Sequence, residues 1–173
     1  MDARTLCLGV LTLGDASGYE IKKIVEEGPF SHFHETSFGS IYPALGRLSA
    51  EGLVTFREVA QEGRPAKKVY SVTPKGRDAL AKALRAEPAR DTVRSDALFM
   101  LFFGDLMDGG RRREVFATYL GNLRRQMADM AQCGAESDPP ARRFVHGLGL
   151  AAYEALIRYM EDNRHLLDEE TNP

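Results

Sequence analysis

The hydrophobic residues in the first half of the chain recur at the spacing of amphipathic helices. Apolar positions three and four residues apart predict three helices, over residues 3–13, 17–27 and roughly 40–51. The second helix is expected to begin at Ser17, because the sequence Ser-Gly-Tyr-Glu has the form of a capping box. The third is expected to begin near Ser40, because Pro43 is tolerated in a first helical turn and is costly deeper inside. Its inner face is expected to consist of Ile41, Leu45 and Leu48, which leaves Tyr42 facing outward.

After the third helix the apolar pattern changes to the alternation of β-strands. The short runs 53–59 and 67–72 contain Val, Phe, Tyr and Thr and flank a turn over residues 61–65, which predicts a β-hairpin. Thr73 and Pro74 then favour the start of a fourth helix, with threonine as the cap and proline in the first turn. The inner face of this helix is expected to consist of Leu80 and Leu84.

The second half of the chain is helical in pattern, and residues 87–91, which have no apolar period, separate it from the first. Residues 97–107 form an apolar run that is expected to be buried, and Asp108-Gly109-Gly110 predicts a turn. Two later segments carry apolar residues at spacings of three and four, here called the apolar seams. The first seam comprises Phe116, Leu120, Leu123, Met127 and Met130. The second seam comprises Val145, Leu148, Ala152, Leu156 and Tyr159.

Together these patterns predict a mainly α-helical protein with a small β-hairpin wing. An N-terminal winged helix-turn-helix would span residues 1–86 and a C-terminal helical dimerisation arm residues 92–170. In such a head, the third helix enters the major groove and the hairpin reaches the phosphate backbone beside it. The seams favour a homodimer, because a head that reads two half-sites needs two-fold symmetry. An intramolecular helical hairpin needs the same pattern and is the alternative.

The charged residues are distributed unevenly along the chain, although the net charge is only −2. Residues 36–87 hold nine Lys and Arg against five acidic residues, while the segments on either side are net negative. Positive charge therefore concentrates on the predicted third helix and hairpin, as attraction to phosphates requires. The alternative is an uneven but ordinary solvated surface.

Three sequence motifs follow one another in the first half of the chain. They are SGYEIKKIVE at residues 17–26, FGSIYPALGRLSAEGLV at residues 38–54 and GRPAKKVYSVTPKGRDAL at residues 63–80. In their order and spacing these motifs resemble the PadR family of bacterial transcriptional regulators, and the resemblance covers residues 1–85. It implies a homodimeric winged-helix repressor whose grip on DNA is loosened by a small molecule.

The candidate DNA contacts lie at the start of the third helix and in the wing. Hydroxyl groups that can serve base edges or phosphates belong to Ser37, Ser40 and Tyr42. Arg47, one turn later, is expected to contact a phosphate. The cationic candidates in the wing are Arg64, Lys67 and Lys68. Tyr19 resembles the phosphate-contacting tyrosine of the family. For Tyr19 and Tyr42 the alternative is packing in the core.

An effector pocket is a further hypothesis for the aromatic part of the apolar run, between the DNA-binding heads and the arm. Its lining would consist of Phe99, Phe102, Phe103 and Met107. A small aromatic molecule is the expected ligand.

Other function classes have less support in the sequence. No histidine lies in a zinc-protease motif and no Walker loop or nucleophile elbow is present, so neither an enzyme activity nor a cofactor or metal is predicted. A metal sensor would use His32, His34 and Glu35, although a closed site normally needs four ligands. A thiol switch would use Cys7 or Cys133. A ligand-binding or protein-interaction module without a DNA role is the remaining alternative.

The composition also bears on where the protein works. No 18 uncharged apolar residues run together and the N-terminus lacks a secretory leader, while two cysteines are too few for a disulfide framework. We therefore expect a cytoplasmic protein that enters no membrane. Its expected partners are double-stranded DNA and a second copy of itself.

Overall fold

The computed structural model describes residues 2–28, 38–61, 64–133 and 138–168. The chain divides into two compact units, Met1–Ala89 and Arg90–Pro173. In their described residues, the first unit combines four α-helices with a small antiparallel sheet and the second is helical. The predicted fold class, mainly α with a small hairpin wing, is confirmed.

The first unit has its elements in the order helix, strand, helix, helix, hairpin, helix. They are α1 (Ala3–Leu11), β1 (Ala16–Ser17), α2 (Gly18–Glu27), α3 (Ile41–Ala50), β2 (Val54–Gln61), β3 (Arg64–Val72) and α4 (Pro74–Ala83). The sheet has the order β1–β3–β2 with antiparallel pairing throughout. Strand β1 did not follow from the sequence, which predicted no strand before α2. Two residues carry no periodic signal, and this strand exists because Ala16 and Ser17 pair with Tyr70 and Val69.

The ends of the helices follow the local signals in the sequence. The Ser17 hydroxyl accepts a hydrogen bond from the backbone N–H of Glu20, and the Glu20 carboxylate accepts one from the backbone N–H of Ser17, so the predicted capping box is present. Helix α3 starts at Ile41 after a 3-10 turn over Phe38–Ser40, which places Pro43 in its first turn as predicted. Past its end, Gly52 takes a left-handed conformation with φ of 69°, which glycine adopts most readily.

The wing hairpin is longer than the sequence predicted. Strand β2 continues to Gln61 and β3 resumes at Arg64, so three of the five residues assigned to the turn belong to strands. A register irregularity lies between Val59 and Gln61. The end of the hairpin has polar residues together with glycine and proline in its sequence, so the alternation that marks a half-buried strand is absent there.

The core of the first unit lies where α1, α2 and α3 meet the base of the hairpin. Ile41, Leu45 and Leu48 are fully buried, which confirms the predicted inner face of α3. The predicted inner face of α4 is half right: Leu80 packs against the core, but Leu84 is 61% exposed. Leu84 lies at the C-terminal cap of α4, past the turns that pack against α1.

The second unit contains two long helices between shorter ones. Its elements are α5 (Asp96–Phe102), a 3-10 turn (Gly104–Leu106), α6 (Gly109–Cys133), α7 (Pro140–Asp162) and α8 (His165–Asp168). Asp108-Gly109-Gly110 is not a turn between helices as predicted. The Asp108 carboxylate accepts a hydrogen bond from the backbone N–H of Arg111 and caps α6, so both glycines lie in the first helical turn.

The two apolar seams differ in how far they are buried within the chain. The first seam is buried apart from half-buried Met127, because α6 packs against α7, α5 and α8. The second seam does not pack into the chain: Val145, Leu148, Leu156 and Tyr159 are 47–65% exposed. Helix α7 meets α6 on another face, where Gly149 leaves room for the Met130 side chain. The alternative of an intramolecular hairpin therefore accounts for the first seam and not for the second.

The apolar run before α6 is not the buried core that its composition predicted. No residue of α5 is buried, and Phe99, Phe102 and Leu106 are 68%, 82% and 85% exposed. Hydrophobicity alone cannot tell a core from an apolar surface that another molecule covers.

Candidate DNA-binding surface

The start of α2 and the first turn of α3 lie in direct contact. The Tyr42 ring packs over the backbone of Gly18, and a Cβ at Gly18 would lie 2.6 Å from Tyr42 Cε1. Tyr19, the next residue, is 67% exposed and Tyr42 is 58% exposed. The alternative of core packing is therefore wrong for both tyrosines. Because Gly18 has no side chain, two phenolic side chains from different helices reach the same surface.

A series of aromatic rings connects α3 to the wing, and we call Tyr42, Tyr70 and Phe56 the aromatic strip; Tyr42 and Phe56 are exposed, and Tyr70 between them is half-buried. Burial raises the pKa of Tyr70, and the neighbouring Tyr42 adds to the effect. Tyr70 pairs with Phe56 across the hairpin, with ring centroids 5.7 Å apart. The Lys68 ammonium lies 4.5 Å from the centre of the Phe56 ring, in a cation–π contact. The aromatic strip therefore links the first turn of α3 to the Lys68 ammonium on the wing.

Lys67 points to a different partner from its neighbour Lys68. Its ammonium donates a hydrogen bond of 3.2 Å to Glu20 Oε1, while the other carboxylate oxygen of Glu20 accepts from the backbone N–H and hydroxyl of Ser17. These bonds, those from Ser17 above all, lower the pKa of Glu20 to about 2, so the carboxylate is ionised at neutral pH. A second ion pair, 3.8 Å between Arg57 and Asp15, also links the hairpin to the turn before β1.

The remaining predicted contacts are placed as follows. Ser40 ends the 3-10 turn directly before α3 and is half-buried. Arg47 is exposed near the other end of α3, where it adds to the lowering of the pKa of Glu51 that Arg4 mainly causes. The structure therefore does not bring Arg47 to the aromatic strip. Ser37 lies outside the described residues, and of Arg64 only the backbone is described.

Sequence reasoning missed three residues of this surface: Phe56, Tyr70 and Glu20. A signal for the first two was present, because Phe56 and Tyr70 share a hairpin face with Lys68 by the alternation of strand side chains. Glu20 was recognised as part of the capping box, but its contact with Lys67 joins residues 47 positions apart and depends on the pairing of β1 with β3.

The second unit holds the residues that were predicted to bind an effector. The Phe103 ring lies 5.1 Å from those of Phe99 and of Phe102, in edge-to-face contacts. Phe103 is 45% exposed and Met107 half-buried, so the group forms an exposed aromatic cluster and not a closed pocket within one chain. Beside it lies a charge that the sequence did not indicate. Arg112 is buried, its Nε has no hydrogen-bond partner, and its Nη1 donates only a long bond of 3.5 Å to the Gly104 carbonyl oxygen.

The alternative chemistries gain no support from the described residues. Burial raises the pKa of the Cys7 thiol to about 11, which makes it unreactive, and Cys133 is exposed on α6. No group of three metal-binding side chains occurs in the described part, while His32, His34 and Glu35 lie outside it. Among the same residues, no helix is long and apolar enough to cross a membrane.

Comparison with known proteins agrees with this arrangement. Residues 7–82 match the model of the transcriptional regulator PadR-like family. The negative transcriptional regulator PadR of Bacillus subtilis is 29% identical over 124 residues, which cover 71% of this chain and 68% of that protein. The first unit of the chain is therefore similar to PadR-like transcriptional regulators. Members of this family are regulators and not enzymes, as the sequence predicted.

Solved structures of PadR-like proteins share the fold over nearly the whole chain. A PadR-like transcriptional regulator from Bacillus cereus is 28% identical, with a TM-score of 0.83 and 96% of both chains covered. B. subtilis PadR in complex with operator DNA is 24% identical, with a TM-score of 0.75 over 95% of this chain and 98% of that one. The same protein in complex with p-coumaric acid is also 24% identical, with a TM-score of 0.68 over 96% and 98%. These last two likenesses concern the fold.

Proposed function

We propose that this PadR-like regulator is a homodimeric repressor that occupies a pseudo-palindromic operator and is released by a small aromatic effector. The observation that carries the proposal is the series of contacts that leads from exposed Tyr42, beside Tyr19, through half-buried Tyr70 and exposed Phe56 to Lys68. It combines hydroxyl groups on two helices with a cation on the wing, as a winged head requires. The names of the relatives support repression and operator binding.

Each part of this surface has a distinct task in the proposed complex. The first turn of α3 would present Ser37, Ser40 and Tyr42 to base edges in the major groove. The phosphate contacts would come from Tyr19, Arg47, Arg64 and Lys68. Helix α3 offers no Asn or Gln for bidentate base recognition. Hydroxyl contacts and the shape of the DNA therefore carry much of the specificity.

The exposed seam of α7 provides the proposed dimer contact. Leu148 and Tyr159 are 60% and 65% exposed, and Ala152 between them is small enough to let a second helix approach. A row of apolar side chains at this spacing is the pattern of helices that pair. Two-fold pairing through α7 would present two heads to half-sites one or two helical turns apart.

The DNA contacts are tested by comparing Lys68→Ala with Tyr42→Ala. We expect Lys68→Ala to weaken operator and random duplex equally and to reduce the slope of log K against log salt by about 0.9 for each bound subunit. Tyr42→Ala is expected to lower operator affinity more than random-duplex affinity. Fluorescence anisotropy at several salt concentrations measures both, with Lys82→Ala on α4 as a control. A Tyr42 effect that is equal on both duplexes would remove this residue from the base-reading set.

The effector site is proposed at the exposed aromatic cluster of the second unit. Aromatic side chains favour a flat ring, and the structure of B. subtilis PadR with p-coumaric acid shows that a relative binds such a molecule. Arg112 supplies a buried cation whose Nε has no hydrogen-bond partner. It lies next to Gly104, the residue that follows Phe103 in the chain. A buried guanidinium without a carboxylate favours a ligand that carries one.

Titration with a panel of phenolic and other aromatic carboxylic acids tests this site. We expect one of them to quench tyrosine fluorescence and to lower operator affinity. Phe102→Ala is expected to weaken ligand binding about tenfold, since an aromatic pair contributes roughly 0.5–1.5 kcal/mol. Phe144→Ala, which removes an exposed ring from α7, is the matched control. Flat titrations across the panel, with operator binding intact, would contradict the effector site and leave the DNA-binding proposal standing.

A further inference from the structure

The Glu20 carboxylate connects the start of α2 to the wing strand β3. One oxygen accepts hydrogen bonds of 2.7 Å from both the backbone N–H and the hydroxyl of Ser17, and the other accepts 3.2 Å from the Lys67 ammonium. Ser17 is also the residue of β1 that pairs with Val69 in β3. Glu20 therefore fixes both the cap of α2 and the side chain of Lys67. It does so one residue from Tyr19, on the surface proposed to face DNA.

The two adjacent lysines of β3 differ in charge balance as a result. The charge of Lys67 is compensated by the Glu20 carboxylate. The Lys68 ammonium instead lies over the Phe56 ring, which has no negative charge to compensate it. Glu58 stands opposite Lys68 in the hairpin register. Successive strand residues point to opposite faces, so Lys67 and Lys68 leave the strand on different sides and meet different neighbours within the chain.

We propose that Glu20 determines which cation of β3 contacts DNA. It holds Lys67 as a positioning residue of the wing and leaves Lys68 as the phosphate-contacting lysine of this strand. The inference rests on the proposed DNA-binding function and narrows it, because Lys67 is then removed from the phosphate contacts. An ion pair with both partners more than a third exposed contributes little to stability. The main effect of the Glu20–Lys67 ion pair is therefore on the electrostatic attraction between the wing and DNA.

This role lowers the non-specific affinity of the wing for DNA. Each cation that neutralises a phosphate releases counterions and adds about 0.9 to the salt slope, whatever the base sequence. A free Lys67 would raise the affinity for any duplex, including the excess of non-operator DNA that competes for the protein. By compensating the charge of Lys67, Glu20 limits this sequence-independent part of the affinity, while Tyr42 and Lys68 remain available to DNA.

Glu20→Gln separates the charge of this residue from its capping role, because glutamine also serves at the third position of a capping box. We expect the variant to fold with a thermal stability somewhat below that of the wild type, because the ionised carboxylate accepts the stronger hydrogen bonds. Its salt slope for random duplex should steepen by about 0.9 for each bound subunit, and at 0.15 M salt its affinity should rise about fivefold per subunit. Glu114→Gln is the matched control, since it releases Arg111 from an ion pair on α6.

The double variant Glu20→Gln/Lys67→Gln decides whether Lys67 contacts phosphate in the native protein. It has the same net charge as the wild type, so we expect an unchanged salt slope, whereas Lys68→Gln lowers the slope by about 0.9 per subunit. A double variant that loses as much slope as Lys68→Gln would overturn the inference, as would an unchanged slope in Glu20→Gln. If the wild type itself binds duplex without salt dependence, the proposed DNA-binding function fails instead.

Discussion

Leu148→Glu combined with Tyr159→Glu is expected to convert the protein to a monomer and to weaken operator binding about 100-fold or more. Both side chains are more than half exposed in the isolated chain, so their replacement leaves no cavity in the fold. In a dimer paired through α7, the new carboxylates of two subunits would be buried beside one another without cations. Losing the second head removes the gain in effective concentration that two linked heads provide, which is commonly 10²–10⁴.

Sedimentation and operator titration measure the two halves of this prediction separately. Leu84→Glu provides the matched control, because it places the same charge on an exposed leucine of the first unit. It should leave both mass and operator affinity close to those of the wild type. A double variant that stays dimeric would show that the exposed seam of α7 is not the contact between subunits.

Gly76→Ala is expected to destabilise the protein by about 1–3 kcal/mol, the usual cost of inserting atoms into a packed region. A Cβ at this position would lie 2.1 Å from the Leu53 carbonyl oxygen and 2.9 Å from Val72 Cγ2. The carbonyl cannot move away easily, since it accepts hydrogen bonds from the backbone N–H and the hydroxyl of Thr73. The overlap occurs where α4 packs against the base of the hairpin.

Urea denaturation of Gly76→Ala beside Gly46→Ala distinguishes overlap from helix propensity. Both glycines lie within helices, where alanine is intrinsically favoured by about 1 kcal/mol. Nothing lies within 4 Å of a Cβ at Gly46, which is exposed on α3, so Gly46→Ala should raise stability. Equal stabilisation by both substitutions would show that α4 does not pack closely against Leu53.

The aromatic strip shows how far local patterns reach in this protein. The sequence identified the hairpin, and the alternation within its second strand already placed Tyr70 and Lys68 on one face, while the pairing of Phe56 with Tyr70 came from the structure. It also predicted that Tyr42 would face outward from α3, because Ile41, Leu45 and Leu48 define the buried side. These features depend on residues a few positions apart, where the helical and strand periods fix the direction of each side chain.

Contacts across the fold could not be obtained in this way. The pairing of Ala16 and Ser17 with β3, the meeting of Glu20 with Lys67 and the packing of Tyr42 over Gly18 each join distant positions. None is specified by a period, because each depends on how the elements are arranged around the common core.

The sequence by itself determined the order of the helices and of the hairpin in the first unit, the capping of α2 and α4, the inner face of α3 and the resemblance to the PadR family, since all of these lie in local chemistry. Only the tertiary structure decided that the first seam is buried against α7, that the second seam and the cluster around Phe103 are exposed, and that Lys67 and Lys68 have different partners. The physical reason is that the hydrophobic effect favours burial against any apolar surface, and a charge is attracted to any opposite charge. Which surface or charge is close enough depends on the tertiary structure.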